Sequence, residues 1–281
     1  MIRFQPGILP RMALAACLVQ AAPALVAQIY SMPDSRSGTA QTLPTQAEQL
    51  FALGNRTRAS FGLNTLQWDP ALAAAALQHC MRMTQGGAIS HQYRGEADPS
   101  QRAATAGAHF SQISENIATG PYASGIHQSW LNSPPHRKNL LSPGIDRIGI
   151  AVISRGGVLY AVADYARAAT VLTHDQVVIQ VAGLLRSTGV AVYSGSSDLQ
   201  AYCASNGHFR PTGADAPSFV IRWQNSDLSQ LPPDLVNRAT SRHYGKAAVS
   251  SCPAQDDAAG FTAYRVAVML YGTDSAAFAS R

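Results

Sequence analysis

Two histidines and one carboxylate are the groups best able to do chemistry together: His91 in "GGAISHQY", Glu115 in "SENIATG" and His136 in "SWLNSPPHRKNLLSPG". Two imidazoles and a carboxylate suit a divalent transition ion such as zinc, and near neutral pH they can also take and give protons. The spacing of the three matches no metal motif, so only the fold can bring them together. H-E-x-x-H, G-x-S-x-G, C-x-x-C and a phosphate-binding glycine loop are all absent from the sequence. The usual zinc-protease, serine-hydrolase, redox and kinase signatures therefore do not apply.

The elements that must position these groups can be read from pattern. Leu50, Leu53, Thr57 and Phe61 recur at helical spacing and Gly62 stops the run. A second helix starts at Asp69-Pro70, a capping residue followed by a first-turn proline, and its alanine-rich body runs to about Gln85 with residues 72, 76, 77, 80 and 83 on one apolar face. Residues 98–119 hold a short helix followed by "SENIATG", and 123–132 form another helix ending at Trp130 and Leu131. "DRIGIAVIS" and "VLYAVADYA", joined through "RGG", predict an antiparallel hairpin, while His136 and "HRKNLL" read as a turn. Helices precede strands without a βαβ alternation, which points to an α+β layered fold rather than a doubly wound nucleotide-binding sheet.

Beyond residue 171, "HDQVVIQVAGLLRSTG" predicts a helix with Val178, Val181, Ala182 and Leu185 on one face. "SDLQAYCASNG" reads as another helix, and "SFVIRWQN" and "YRVAVMLY" as strands. Residues 172–281 are thus expected to form a small α+β domain of unreadable function.

A chain of 281 residues with 46% hydrophobic content has room for two modest domains. Its formal charge of +5 falls to +3 without Arg3 and Arg11, and no run of basic residues remains, which argues against nucleic acid as a partner. Those two arginines precede "MALAACLVQAAPALVA", so residues 1–27 read as a signal peptide and 28–44 as a flexible lead-in. The alternative is a lipoprotein box, "LAAC", with lipid on Cys17. Nothing later approaches the ~20 apolar residues of a membrane span, so the expected location is secreted or periplasmic. Of the cysteines left, Cys80 lies on a helical apolar face, and Cys203 and Cys252 form the expected disulfide. A zinc site of Cys203, His208, His243 and Cys252 is the competing reading of that pair.

The order "LGNRTRASFGLNTLQWDPALAAAALQHCMRM", "SH", "SENIA" and "WLNSPPHRKNLLSPGIDRIGIAV" resembles the CAP superfamily of cysteine-rich secretory, antigen 5 and pathogenesis-related proteins in its bacterial secreted form. The resemblance covers about residues 46–167 and implies an α/β/α sandwich with an antiparallel sheet, the CAP domain occupying 45–168. It also implies an open cleft in which His91 and His136 face each other, with Glu115 in the acid position and a metal ion, zinc being the candidate, or a polar ligand between the rings. Many eukaryotic members carry a second acid after the helix tryptophan; the corresponding place falls near Ser133. The functional expectation is a secreted, non-catalytic module that binds a ligand, a metal ion or an envelope polymer or lipid, the alternative being a metal-assisted extracellular hydrolase. Plainer roles are expected for the neighbours: Trp68 and Trp130 as core aromatics, Asn116 and Asn139 as loop hydrogen-bonders, and Arg137 and Lys138 as solvated cations.

Overall fold

The computed structural model describes residues 45–85, 88–194, 197–205, 216–253 and 260–273. The expected signal peptide, Cys17 and the lead-in 28–44 lie outside these residues. Helix α1 (Gln46–Ser60) starts at Thr45, whose hydroxyl accepts from the Glu48 N–H while the Glu48 carboxylate accepts from the Thr45 N–H. Reciprocal capping of this kind satisfies two of the donors a helix start leaves orphaned. A two-residue strand β1 (Gln67–Trp68) leads to α2 (Pro70–Gln85), where the Asp69 carboxylate accepts from the Ala71 and Leu72 N–H groups at 2.8 and 3.0 Å. Then follow α3 (Pro99–Thr105), β2 (Phe110–Gly120), α4 (Ala123–Asn132), α5 (Pro134–Leu140), β3 (Arg147–Arg155) and β4 (Val158–Ala168).

The four strands lie in the order β1-β3-β4-β2, antiparallel except for the short parallel β1–β3 pair. Side-chain alternation divides the core between two faces. On one, Ala76, Cys80 and Met83 of α2 meet Ile117, Ala151 and Val162. On the other, Leu50 of α1 and Ile126 and Trp130 of α4 meet Ile150, Ala161, Ala163 and Tyr165. The result is an α/β/α sandwich. α2 lies so close to β3 that a Cβ on Gly149 would run into the backbone of Leu72 and Ala73.

Where "HRKNLL" predicts a turn, the structure has the helix α5, begun by two prolines at its first positions. Proline suits the first helical turn because its missing N–H would have no partner there.

The second half contains α6 (His174–Ser187), β5 (Ala191–Ser194), α7 (Ser197–Ala204), β6 (Phe219–Asn225), α8 (Pro233–Ala239), β7 (Tyr244–Cys252) and β8 (Tyr264–Gly272). Its sheet runs β5-β7-β8-β6 with β5 parallel to β7 and the other pairs antiparallel. This repeats the strand order and directions of the first sheet. α7 covers one face through Leu199 and Cys203, while α6 and α8 cover the other through Val177, Val181, Leu185 and Leu235. α6, α7 and α8 thus stand where α1, α2 and α4 stand in the first sandwich. Among the described residues α3 and α5 have no counterpart.

On α6 it is Val177 that is buried, with Val178 only partly so, one position from the expected face. The two sandwiches touch where Phe261 packs edge-on against Phe110 at 5.2 Å and the Thr262 N–H donates to the Phe110 carbonyl at 2.8 Å.

Cys203 and Cys252 form a disulfide. This overturns the four-ligand zinc reading of Cys203, His208, His243 and Cys252, because the bridge consumes both thiols; His208 lies outside the described residues. Cys80 is buried and free, its thiol donating to the Tyr160 carbonyl at 3.1 Å. Burial pushes that thiol up to about 12 against the pull of the Ile153 backbone, so it is inert as a nucleophile at neutral pH.

Candidate functional site

His91 lies in the irregular segment between α2 and α3, its side chain about half exposed. Its Nδ1 is 2.8 Å from Oε1 of Glu115, which projects from β2 and is almost wholly buried. The other Glu115 oxygen accepts from Arg102 Nη2 of α3 at 2.5 Å. A carboxylate fixed in this way orients the imidazole, taking Nδ1–H and leaving Nε2 for a ligand.

His136 approaches from α5, with its ring centroid 6.3 Å from that of His91 and the planes tilted by 56°. α5 is tied to β2 by side-chain amides. Asn116 Nδ2 donates to the His136 carbonyl at 2.9 Å, and Asn139 Nδ2 donates to the Glu115 carbonyl at 3.1 Å and to Asn116 Oδ1 at 2.9 Å. Burial and the neighbouring His91 hold the His136 imidazole below its ordinary range, which favours the neutral, ligating form. His91, Glu115 and His136 therefore come together from a loop, a strand and a helix. Ser133 caps α5 and offers no acid.

Four further ionisable residues build the floor of this arrangement, and nothing in the sequence pattern singles them out as a group. His79 on α2 is wholly buried, with Nδ1 2.7 Å from Glu96 Oε1 and Nε2 2.9 Å from the Ser90 carbonyl. Glu96 also accepts from the Tyr93 N–H at 2.9 Å. Burial raises the Glu96 carboxyl, but the hydrogen bonds from His79 and Tyr93 and the charges of His79 and Arg102 outweigh it and hold it below the usual range. Arg102 Nη1 donates to the carbonyls of Ala97 at 2.8 Å and His91 at 3.3 Å. The loop that carries His91 is thus fastened by His79, Glu96 and Arg102. The available signal is His79 itself, a polar residue among the apolar positions of α2.

The fourth is Asp164 on β4, directly opposite Glu115 in register. It is fully buried, and its carboxyl group lies beside that of Glu115 with no other hydrogen-bond partner among the described residues. Burial, and then the charge of Glu115, push its carboxyl well above the ordinary range, with Arg102 pulling the other way. The folded state therefore favours the protonated acid. Stability attached to this group is present below its ordinary value of about 3.9 and is lost as pH rises from there toward the folded value. Asp164→Asn, which mimics the neutral acid, should gain stability relative to the natural protein between pH 4 and pH 7. Thermal melts at the two pH values measure this, and an unchanged difference would show that Asp164 is ionised in the fold.

Residues 51–165 match the sequence pattern of a family described as "CAP: Cysteine-rich secretory protein family". Over 112 residues the chain is 29% identical to the uncharacterized protein YkwD of Bacillus subtilis, covering 40% of this chain and 44% of that protein. It is 33% identical over 112 residues to the uncharacterized membrane protein YlbC of the same species, covering 38% and 32%. The chain thus spans less than half the length of these two relatives. Among solved structures, an outer surface protein from Borrelia burgdorferi is similar at 22% identity and a TM-score of 0.42, covering 46% of this chain and 99% of that one. An extracellular protein containing an SCP domain from Bacillus anthracis is similar at 27% identity and a TM-score of 0.40, covering 46% and 45%. The family match takes in His91, Glu115, His136 and the buried charges beneath them, and ends before the second sheet.

Proposed function

We propose, from the match of residues 51–165 to the CAP family, that the chain is an exported CAP-domain protein, secreted or periplasmic, that binds a ligand, a metal ion or an envelope component between His91 and His136 without turning it over. The observation that carries this reading is the pair of imidazoles at 6.3 Å, one of them oriented through Nδ1 by a buried carboxylate. That span is one an ion or a polar ligand atom can bridge. His91 and His136 would hold a zinc ion as two neutral nitrogen donors. Among the described residues no group of three histidine, cysteine or acidic side chains is placed to hold a metal, so the ion would be modestly bound, with positions left to water or an exogenous ligand. Bound there, zinc would supply a Lewis-acidic position for an oxygen of that ligand.

The hydrolase alternative, a peptidase or cell-wall enzyme, needs, beside the two imidazoles that would hold the metal, a further group free to take a proton from water. Glu115 is committed to Arg102 and His91, and Asp164 lies too deep to meet a substrate. Binding is therefore the better-supported role.

Calorimetric titration with zinc tests it. The natural protein should bind at pH 7 and progressively less at acid pH, where protons compete with zinc for the His136 imidazole, itself held below its ordinary range. His136→Ala should lose binding with little change in melting temperature, because an open-cleft side chain contributes little packing. Equal binding by both proteins would remove His136 from the site. Turnover of peptide or peptidoglycan that is lost in His136→Ala would favour the hydrolase.

A further inference from the structure

β2 is an edge strand of the first sheet, and most of its outer edge is closed. The Phe110 carbonyl is taken by the Thr262 N–H, the Glu115 carbonyl by Asn139 Nδ2, and the Ile117 carbonyl by Trp130 Nε1 at 3.2 Å. The donors on Glu115 and Ile117 come from α5 and α4 rather than β4. Beyond the register shift between Phe110 and Gln112 they mark the odd-numbered residues as those whose backbone faces outward. Ile113 is next in that series, and among the described residues it has no hydrogen-bond partner outside the sheet.

Gln112 and Ser114, on either side of Ile113, line a groove of about 480 Å³ together with Pro134, Arg137, Lys138 and Leu141. Gln112 also borders a second cavity, of about 640 Å³, that extends toward Arg167 and Asn225. Among the described residues no acidic side chain lines the first groove. Arg137 rests on the Phe61 ring at 5.4 Å, and neither Arg137 nor Lys138 has a carboxylate partner among the described residues. An open strand edge recognises extended backbone, and two unpaired cations beside it recognise negative charge.

We propose that the β2 edge and its groove bind an extended acidic peptide segment, the peptide backbone pairing with Ile113 and its carboxylates meeting Arg137 and Lys138. This site is separate from the histidine pair, although α5 carries residues of both. A lipid or glycan would use the cations but leave the strand edge unpaired, so the edge is what selects peptide as the ligand class.

Fluorescence anisotropy on the mature protein with a labelled heptapeptide of alternating threonine and glutamate tests the proposal. That peptide should bind about tenfold tighter than its lysine counterpart, and about tenfold tighter than a version N-methylated at alternate amides, which cannot pair with a strand. Arg137→Glu combined with Lys138→Glu should weaken it by a similar factor. So should Ile113→Pro, which removes the outward N–H at an edge position where proline is tolerated, along with the Ile113 packing against Leu72, Ala75 and Phe110. If that variant fails to fold, the N-methylated peptide carries the same information on the natural protein. Equal affinity for the parent and N-methylated peptides, or for the glutamate and lysine peptides, would overturn the proposal. Capture of phosphatidylglycerol vesicles without peptide binding would assign the cations to a membrane surface and overturn it as well.

Discussion

Arg102→Met is expected to destabilise the protein by about 3–5 kcal/mol, the range for removing one partner of a buried ion pair and stranding the other. Arg102 is buried and lies against two acids, with Nη2 2.5 Å from Glu115 Oε2 and Nη1 3.9 Å from Glu96 Oε1, and its charge also acts on Asp164. Methionine fills much of the same volume, so the loss reports charge and hydrogen bonds more than a cavity. Glu115 would keep His91 as a partner but lose its buried cation. The His91 loop would also lose its bonds from Arg102 to the Ala97 and His91 carbonyls. Arg102→Lys should fall between the two, because an ammonium retains the charge but cannot reproduce the guanidinium fork. Urea unfolding of the three proteins measures the effect, and zinc titration shows whether His91 stays in place. A methionine variant within about 1 kcal/mol of the natural protein would mean that the pair is neutral overall and that the loop is held by His79 and Glu96 alone.

Legibility in the sequence follows the range over which the physics acts. The start of α2 is readable because Asp69 and Pro70 act on their own helix, and the β3–β4 hairpin because its apolar runs flank Gly156 and Gly157, both at positive φ. His91, Glu115 and His136 are readable as chemically capable residues. The Arg102, His79, Glu96 and Asp164 set is not, since a buried charge makes sense only once its partners are known, and these come from α2, α3, β4 and the loop between the helices. Asp164 does interrupt an apolar strand in "VLYAVADYA", which is the kind of local inconsistency that marks such a group. α5 reads as a turn because seven residues with two prolines and two cations carry no apolar periodicity. β7, "YGKAAVSSC", escapes a reading by pattern because its alanines and serines lack the β-branched and aromatic signal of a strand. The matching order of the two sheets depends on pairings between distant strands, which no local pattern records.

Removing the second sandwich's disulfide, as Cys203→Ser with Cys252→Ser, should destabilise that unit by about 4 kcal/mol, the chain-entropy value for a loop of this length, while leaving the first much less affected. The bridge joins α7 to the last residue of β7 across 49 positions of sequence. Both cysteines are buried in the cluster of Leu199, Ala248, Ala267 and Met269. Without the bridge, α7 is held to the sheet by that small apolar layer and by Arg222 of β6, whose Nη1 donates to the Tyr202 carbonyl at 3.0 Å, and the unfolded chain regains the freedom of the closed loop. The first sandwich has no such dependence, because α2 packs along most of its length against β3 and β4 and its one thiol, Cys80, takes no part in a bridge. Hydrogen exchange followed by mass spectrometry separates the two responses: amides of β7 and β8 should lose protection in the double variant, and those of β3 and β4 should largely keep it. Peptide mapping without reductant should recover the Cys203–Cys252 pair, with Cys80 alkylated only after denaturation. Equal loss of protection in both sheets would show that the contact through Phe110, Phe261 and Thr262 couples the two sandwiches into one cooperative unit.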